Sequence, residues 1–386
     1  MFARGCCVLE ISEAIQSMSL IRRTLLGALF VVIACPDAGA AGAMKLLSRG
    51  LPVFSSSGIA SRANDADYDS YWRSSGTPAT LTFDLSSVNP VNRRQILLVW
   101  YNDPTYAYDH ALIKLVGYNN PGSYTVEVNA GSGGKSPPQS GWRVVATISD
   151  NTLHSREHLI DFAGYSWVRL NFTSADGSPG NTDIAVNVDI YDASLGAEDG
   201  WLFVGDSITA NGMGHETSQG ATEGFGKLIE GLIGETPAQE NAGMPGWATT
   251  TVMPYFQGWV NSFPGKYVTI NLGTNDAAYN LAPSQYFANM SMLVREVLAA
   301  GKVPVIPTIP WSRDSWHAQR IPPLNDEIRR LYKEFPSIVP GPDLFAYFNL
   351  HQDYIAPDGV HPTGAGYSAL RKIWATTAVQ SIYQRK

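Results

Sequence analysis

The chain has 386 residues, long enough for two domains that each bury a core. Its 27 basic and 34 acidic residues leave a net charge of −7 with no basic cluster, which excludes a nucleic-acid partner. All three cysteines, Cys6, Cys7 and Cys35, fall near the N-terminus, so the body of the chain carries no disulfide framework and no thiol chemistry.

Residues 1–43 read as a leader. Arg22-Arg23, an apolar run from Thr24 to Ala34, a break at Pro36-Asp37 and the small residues Ala38-Gly39-Ala40 make an export signal with a cleavage site. The apolar core is too short to remain as a membrane span. An exported chain without further cysteines fits a bacterial periplasm or exterior. Val32-Ile33-Ala34-Cys35 also loosely matches a lipoprotein signal, in which Cys35 would carry the lipid.

Residues 44–197 change texture to short alternating runs between Gly, Pro, Asn and Asp clusters. Strands are predicted at Thr80–Leu85, Gln95–Tyr101, Ser123–Val128, Trp142–Ile148, Trp167–Phe172 and Ile184–Tyr191, at the spacing of an all-β sandwich, expected to be a jelly roll. Tyr68, Tyr71, Trp72, Tyr101, Tyr106 and Tyr108 are candidate sugar platforms, although for any one of them, Trp72 above all, a core position is the stronger reading, and the two readings balance only over Tyr101–His110. His154, Arg156, Glu157 and His158 are expected on a solvated stretch. Asn64, Asp65, Asp67 and Asp69 suit either a structural calcium or a turn.

The connector Asp192–Gly200 precedes residues 198–386, where strand and helix patterns alternate. Helices are predicted at Gly224–Ile233, Trp247–Val260, Pro283–Ala300 and Pro323–Phe335, which argues for a three-layer α/β/α fold with a parallel sheet. The apolar run Trp201-Leu202-Phe203-Val204 drives into Gly205-Asp206-Ser207, a strand ending in a turn that exposes one serine. Asp358-Gly359-Val360-His361 offers a histidine to take the proton from Ser207 and an acid to hold the imidazole. Between them, Asn241–Gly246 and Gly273-Thr274-Asn275-Asp276 offer a glycine N–H and an asparagine amide to an oxyanion, beside the N–H of Ser207 itself. No H-E-x-x-H or paired-cysteine motif points to a metal enzyme, no cofactor is required, and no G-x-S-x-G marks an α/β-hydrolase elbow.

These four blocks, in this order, resemble the SGNH (GDSL-type) serine hydrolases over roughly residues 199 to 386. The resemblance implies Ser207 as nucleophile, Asp358 and His361 as its triad partners, and Gly246 and Asn275 completing the oxyanion hole. Gly243 also fits the loose second block, and Gly246 is preferred because Asn241 to Gly246 spans like the family's N-x-x-x-x-G. The stretch from Ala63-Asn64-Asp65 to Tyr71-Trp72, followed by Leu81-Thr82-Phe83-Asp84-Leu85, and later Tyr124 to Val128 with Gly141-Trp142, is similar to discoidin-like (factor five/eight type C) sandwiches, many of which bind carbohydrate. His215, Trp247 and Trp316 are candidates for substrate contact.

The expectation is an exported serine esterase that removes acyl groups, acetyl above all, from O-acylated poly- or oligosaccharides. A lipase, thioesterase or arylesterase of the same mechanism, a polysaccharide O-acetyltransferase, and a binding protein with a vestigial hydrolase domain are the alternatives.

Overall fold

The computed structural model describes residues 44–102, 119–176, 182–214 and 223–384, with the backbone of 106–109 and 114–117. The leader 1–43, with Cys35, and His215 lie outside the described residues, as do the side chains of Tyr106 and Tyr108.

Alternating apolar residues in the first half form antiparallel strands β1 (Lys45–Leu46), β2 (Val53–Ser55), β3 (Trp72–Arg73), β4 (Ala79–Asp84), β5 (Gln95–Asn102), β6 (Tyr106–Asp109), β7 (Lys114–Gly117), β8 (Pro121–Asn129), β9 (Arg143–Ile148), β10 (Ser155–Asp161), β11 (Trp167–Ala175) and β12 (Ala185–Asp192). One sheet runs β1-β12-β5-β10, with β3 also on β12, and the other β2-β4-β11-β8-β9. A core that includes Trp72, Leu81, Phe83, Trp100, Tyr124, Leu170 and Phe172 fills the space between them. Strand β5 is apolar on both faces. Ile96, Leu98 and Trp100 enter the sandwich core, while Leu97, Val99 and Tyr101 pack outward with Tyr191 and Ala238.

The second half alternates β13 (Gly200–Gly205), α1 (Ser207–Gly212), α2 (Phe225–Ile233), β14 (Ala238–Gly243), α3 (Thr249–Ser262), β15 (Tyr267–Asn271), α4 (Thr274–Ala278), α5 (Pro283–Ala299), β16 (Val303–Ile306), α6 (Ser315–Glu334), β17 (Val339–Pro340), α7 (Leu344–Leu350) and α8 (Gly364–Ala378). The strands pair in parallel in the order β14-β13-β15-β16-β17, an SGNH-type α/β/α fold. One face of the sheet is covered around Val252, Phe256, Leu293, Val297, Leu324 and Ile328, the other around Phe225, Ile229, Leu370 and Trp374.

Two expectations are corrected. Residues 154–158 are not a solvated stretch: Ser155–Asp161 form β10, and His154, Glu157 and His158 are buried. Despite their polar side chains these residues are covered, with His158 Nε2 2.8 Å from the Tyr124 hydroxyl, whereas Leu159 and Asp161 further along the strand are exposed. Helix α6 begins at Ser315, well before Pro323, because Asp314 caps it by accepting the N–H groups of Trp316 and His317. Pro322 and Pro323 then lie inside the helix, where a proline ordinarily signals an end.

Several aromatic platform candidates are core instead. Trp72 is fully buried, with its indole N–H on the carbonyl of Ser57, and Tyr101 is buried. Tyr68 donates its hydroxyl to Asp189 at 2.6 Å. The amide of Asn64 donates to the carbonyls of Ser48 and Leu51, and Asp65 and Asp67 accept the N–H groups of Asp67 and Asp69 in turns. Among the described residues, no three His, Cys, Asp or Glu side chains converge as metal ligands. Among the described residues, no helix is long and apolar enough to cross a membrane.

Candidate active site

Parallel register is what gathers the motifs. Gly205 at the end of β13 lies opposite Gly243 of β14 and Asn271 of β15, so three strands stop at one level. The loops that leave there carry Ser207, Gly246 and Asn275, two, three and four residues on. Gly205 has no room for a side chain, since an added Cβ would lie 2.0 Å from Thr209 Oγ1. Asp206 caps α1, its carboxylate accepting the N–H of Ile208 at 2.9 Å. Burial pushes the Asp206 carboxyl up to about 6, against the pull of the Ile208 N–H and the Thr274 hydroxyl. Ser207 then opens the helix with an N–H that has no intrahelical partner.

The fourth motif arrives from the turn before α8. Gly359 has a positive φ of 80°, and its carbonyl accepts the hydroxyl of Ser312 at 2.7 Å and the N–H of Arg313 at 2.8 Å. An antiparallel bridge between Ile355 and Pro362 closes the turn. Held this way, His361 reaches both partners: Nε2 is 2.8 Å from Ser207 Oγ, and Nδ1 is 2.7 Å from Asp358 Oδ2. The other oxygen of Asp358 accepts the N–H groups of Val360 at 2.9 Å and His361 at 3.0 Å. Partial burial raises the Asp358 carboxyl, but those two N–H groups and the imidazole outweigh it and hold the acid below its usual range. An aspartate fixed there keeps the Nδ1–H tautomer and leaves Nε2 to accept the serine proton.

The two glycines of the second block have different environments. The N–H of Gly243 is already taken by Asn241 Oδ1 at 3.0 Å. Gly246 sits in the turn Met244-Pro245-Gly246-Trp247, closed by the Trp247 N–H on the Met244 carbonyl at 3.1 Å, with φ of 79°. Proline second and a left-handed glycine third are the requirements of a type II turn. Among the described residues the Gly246 N–H has no protein acceptor. Asn275 donates one amide hydrogen to the Trp247 carbonyl at 3.0 Å, which fixes the side chain and leaves its other hydrogen available. Beneath both loops, Asp276 accepts the N–H and hydroxyl of Thr249, and Asn289 donates to that hydroxyl at 2.8 Å.

The substrate candidates divide. Trp247 is 2% exposed and stacks on Trp259 at 5.7 Å, so its ring packs under the loop and forms no wall of a cleft. Trp316 is 48% exposed, with its indole N–H on the carbonyl of Ala278 at 2.9 Å and the Arg320 guanidinium over its ring. Sequence reasoning missed Tyr279, which is 63% exposed and donates its hydroxyl to the Gly246 carbonyl at 2.9 Å. Its position four residues after Asn275, on the same short helical face, is the signal that was there to be read. It also missed Asn241 as more than a spacing marker.

The C-terminal α/β/α unit thus carries a serine, a histidine and an aspartate in one hydrogen-bonded chain beyond its strand ends. Residues 203–369 match the model of the GDSL-like Lipase/Acylhydrolase family. Among solved structures, this chain is similar to an acetylxylan esterase from Geobacillus stearothermophilus, with 20% identity over 49% of this chain and 95% of that one at a TM-score of 0.40. It is also similar to the lipase/acylhydrolase from Enterococcus faecalis, with 20% identity over 48% and 98% at 0.40. An α/β hydrolase enzyme from the metagenome of Lake Arreo shares 19% identity over 47% and 94% at 0.39. No curated protein matches the chain.

Proposed function

We propose that the chain is an exported serine esterase that removes acyl groups, acetyl foremost, from O-acylated carbohydrate. The observation that carries this reading is the continuous chain from Ser207 Oγ through His361 to Asp358, at 2.8 and 2.7 Å. Ser207 attacks the ester carbonyl as His361 takes its proton, and Asp358 stabilises the imidazolium. The N–H groups of Ser207 and Gly246 and the free amide hydrogen of Asn275 receive the oxyanion. His361 returns its proton to the departing sugar hydroxyl, and a water activated by the same histidine hydrolyses the acyl-enzyme.

Carbohydrate as the alcohol is supported by the exposed rings of Tyr279 and Trp316 beside the oxyanion loops. Export is proposed from the leader pattern in residues 1–43. The test is acetate release from a panel of acetylated polysaccharides, alongside short- and long-chain nitrophenyl esters. We expect acetate from at least one glycan and loss of all turnover in Ser207→Ala with the fold intact. Retained turnover in that variant would refute the nucleophile, and cleavage of long-chain esters alone would refute the carbohydrate substrate.

A further inference from the structure

Strand β14, which feeds the second oxyanion loop, is an edge of the parallel sheet. Its outward backbone groups therefore need partners that no sixth strand supplies. For Asn241 the sandwich supplies them. Ser155, the first residue of β10, accepts the N–H of Asn241 at 2.6 Å and donates its hydroxyl to the Asn241 carbonyl at 3.4 Å. Both residues are buried.

Asn241 is the residue through which that contact reaches the catalytic groups. Its Oδ1 holds the N–H of Gly243 at 3.0 Å, and its Nδ2 donates to the carbonyls of Ala210 at 3.0 Å and Thr209 at 3.5 Å. Thr209 and Ala210 lie in the same turn of α1 as Ser207, and Gly246 is three residues beyond Gly243. One side chain thus ties the nucleophile's helix to the strand that presents the oxyanion donor, and its own backbone is pinned by a hydroxyl from the other unit. Neighbouring sandwich residues reinforce the seam. Leu153 joins the same core cluster as Met244 and Trp247, and His154 is hydrogen-bonded to the backbone of Gly243.

We propose that Ser155 is a positioning residue for the active site, and that the sandwich sets the placement of the Gly246 loop against Ser207. This rests on the Ser207 reading above. Hydrolysis is sensitive to such placement, because a displacement of about 1 Å at the reacting groups costs on the order of a hundredfold in rate.

The test uses the full chain and nitrophenyl acetate. Ser155→Ala is expected to fold and melt cooperatively, to lower kcat about ten- to a hundredfold with KM nearly unchanged, and to slow the acylation burst by the same factor. Ser155→Thr, which keeps the hydroxyl on a residue suited to a strand, is expected to retain most of the rate. If Ser155 acts through the oxyanion site, the losses of Ser155→Ala and Asn275→Ala fall short of multiplying in the double variant. A Ser155→Ala protein with a lower melting temperature and full kcat would overturn the proposal, as would fully multiplicative losses or equal loss in Ser155→Thr. Should Ser207→Ala retain turnover, the hydrolase reading itself fails. A dead Ser207→Ala beside a fully active Ser155→Ala removes only the positioning role.

Discussion

Each side chain around Ser207 is held by a second contact that has nothing to do with the ester. Asp358 is kept ionised by the N–H groups of Val360 and His361 as well as by the imidazole, so it remains a carboxylate well below neutral pH. Asn275 is oriented by the Trp247 carbonyl, and that carbonyl belongs to the type II turn that exposes the Gly246 N–H. Removing the amide in Asn275→Ala is expected to lower kcat by roughly two to three powers of ten. Steady-state kinetics with a short-chain nitrophenyl ester, beside a thermal melt to show the fold intact, measure it. The residue scale is also where the sequence was most informative. The order of the four blocks singled out Ser207, Gly246, Asn275, Asp358 and His361 as candidates, and in the structure His361 lies within hydrogen-bonding distance of Ser207 and Asp358.

At the scale of elements, close approach between α1 and β14 decides the geometry. A Cβ on Gly243 would lie 2.2 Å from the Ala210 nitrogen and 2.6 Å from its Cα, both backbone atoms that cannot turn aside. Gly243→Ala is therefore expected to push the helix off the strand, costing about 1–3 kcal/mol of stability and displacing Ser207. Denaturant unfolding and ester turnover, measured on the same preparation, would show both losses together. This gives Gly243 a packing role and Gly246 an open N–H, a division that the spacing of the two glycines could only suggest. Helix α6 teaches the converse. Its start after Asp314 was hidden by Pro322 and Pro323, because a cap that accepts N–H groups two and three residues on is a weaker local signal than two prolines.

Across the whole molecule, carboxylates are buried where the sandwich meets the α/β unit. Glu240 of β14 and Glu157 of β10 are both buried, and Glu240 Oε2 lies 3.4 Å from the Glu157 N–H. Burial pushes Glu240 up to about 7, with Arg156, the Glu157 N–H and Lys302 opposing, and raises Glu157 as well, burial first and the Glu240 charge second. Asp199, at the connector, is pushed up to about 8 by burial, although the Tyr383 hydroxyl donates to it. Acids raised on folding hold more protons in the native state than in the unfolded one. Their contribution to stability is therefore full below the unfolded value near 4 and is lost as pH rises through 7 to 8. Melting temperature is expected to fall across that window. Glu240→Gln should flatten the fall, exceeding the parent chain near pH 8 and converging with it near pH 4. A pH series of thermal melts checks the sign.

The sequence alone determined the class of the fold and singled out the candidates at the site, because both are local matters. Residue period separates an antiparallel sandwich from a strand-helix alternation, and a nucleophile, a base, an acid and turn glycines are recognisable by type and order. Which residues meet between the two halves was decided only by tertiary structure. Ser155, Glu157 and Glu240 are polar, and a polar residue reads as solvent-facing until a partner strand is placed over it. Trp247 and Trp316 show the same division. Both are tryptophans beside a motif, yet one is sealed against Trp259 and the other stands half exposed, since burial depends on what packs from elsewhere in the chain.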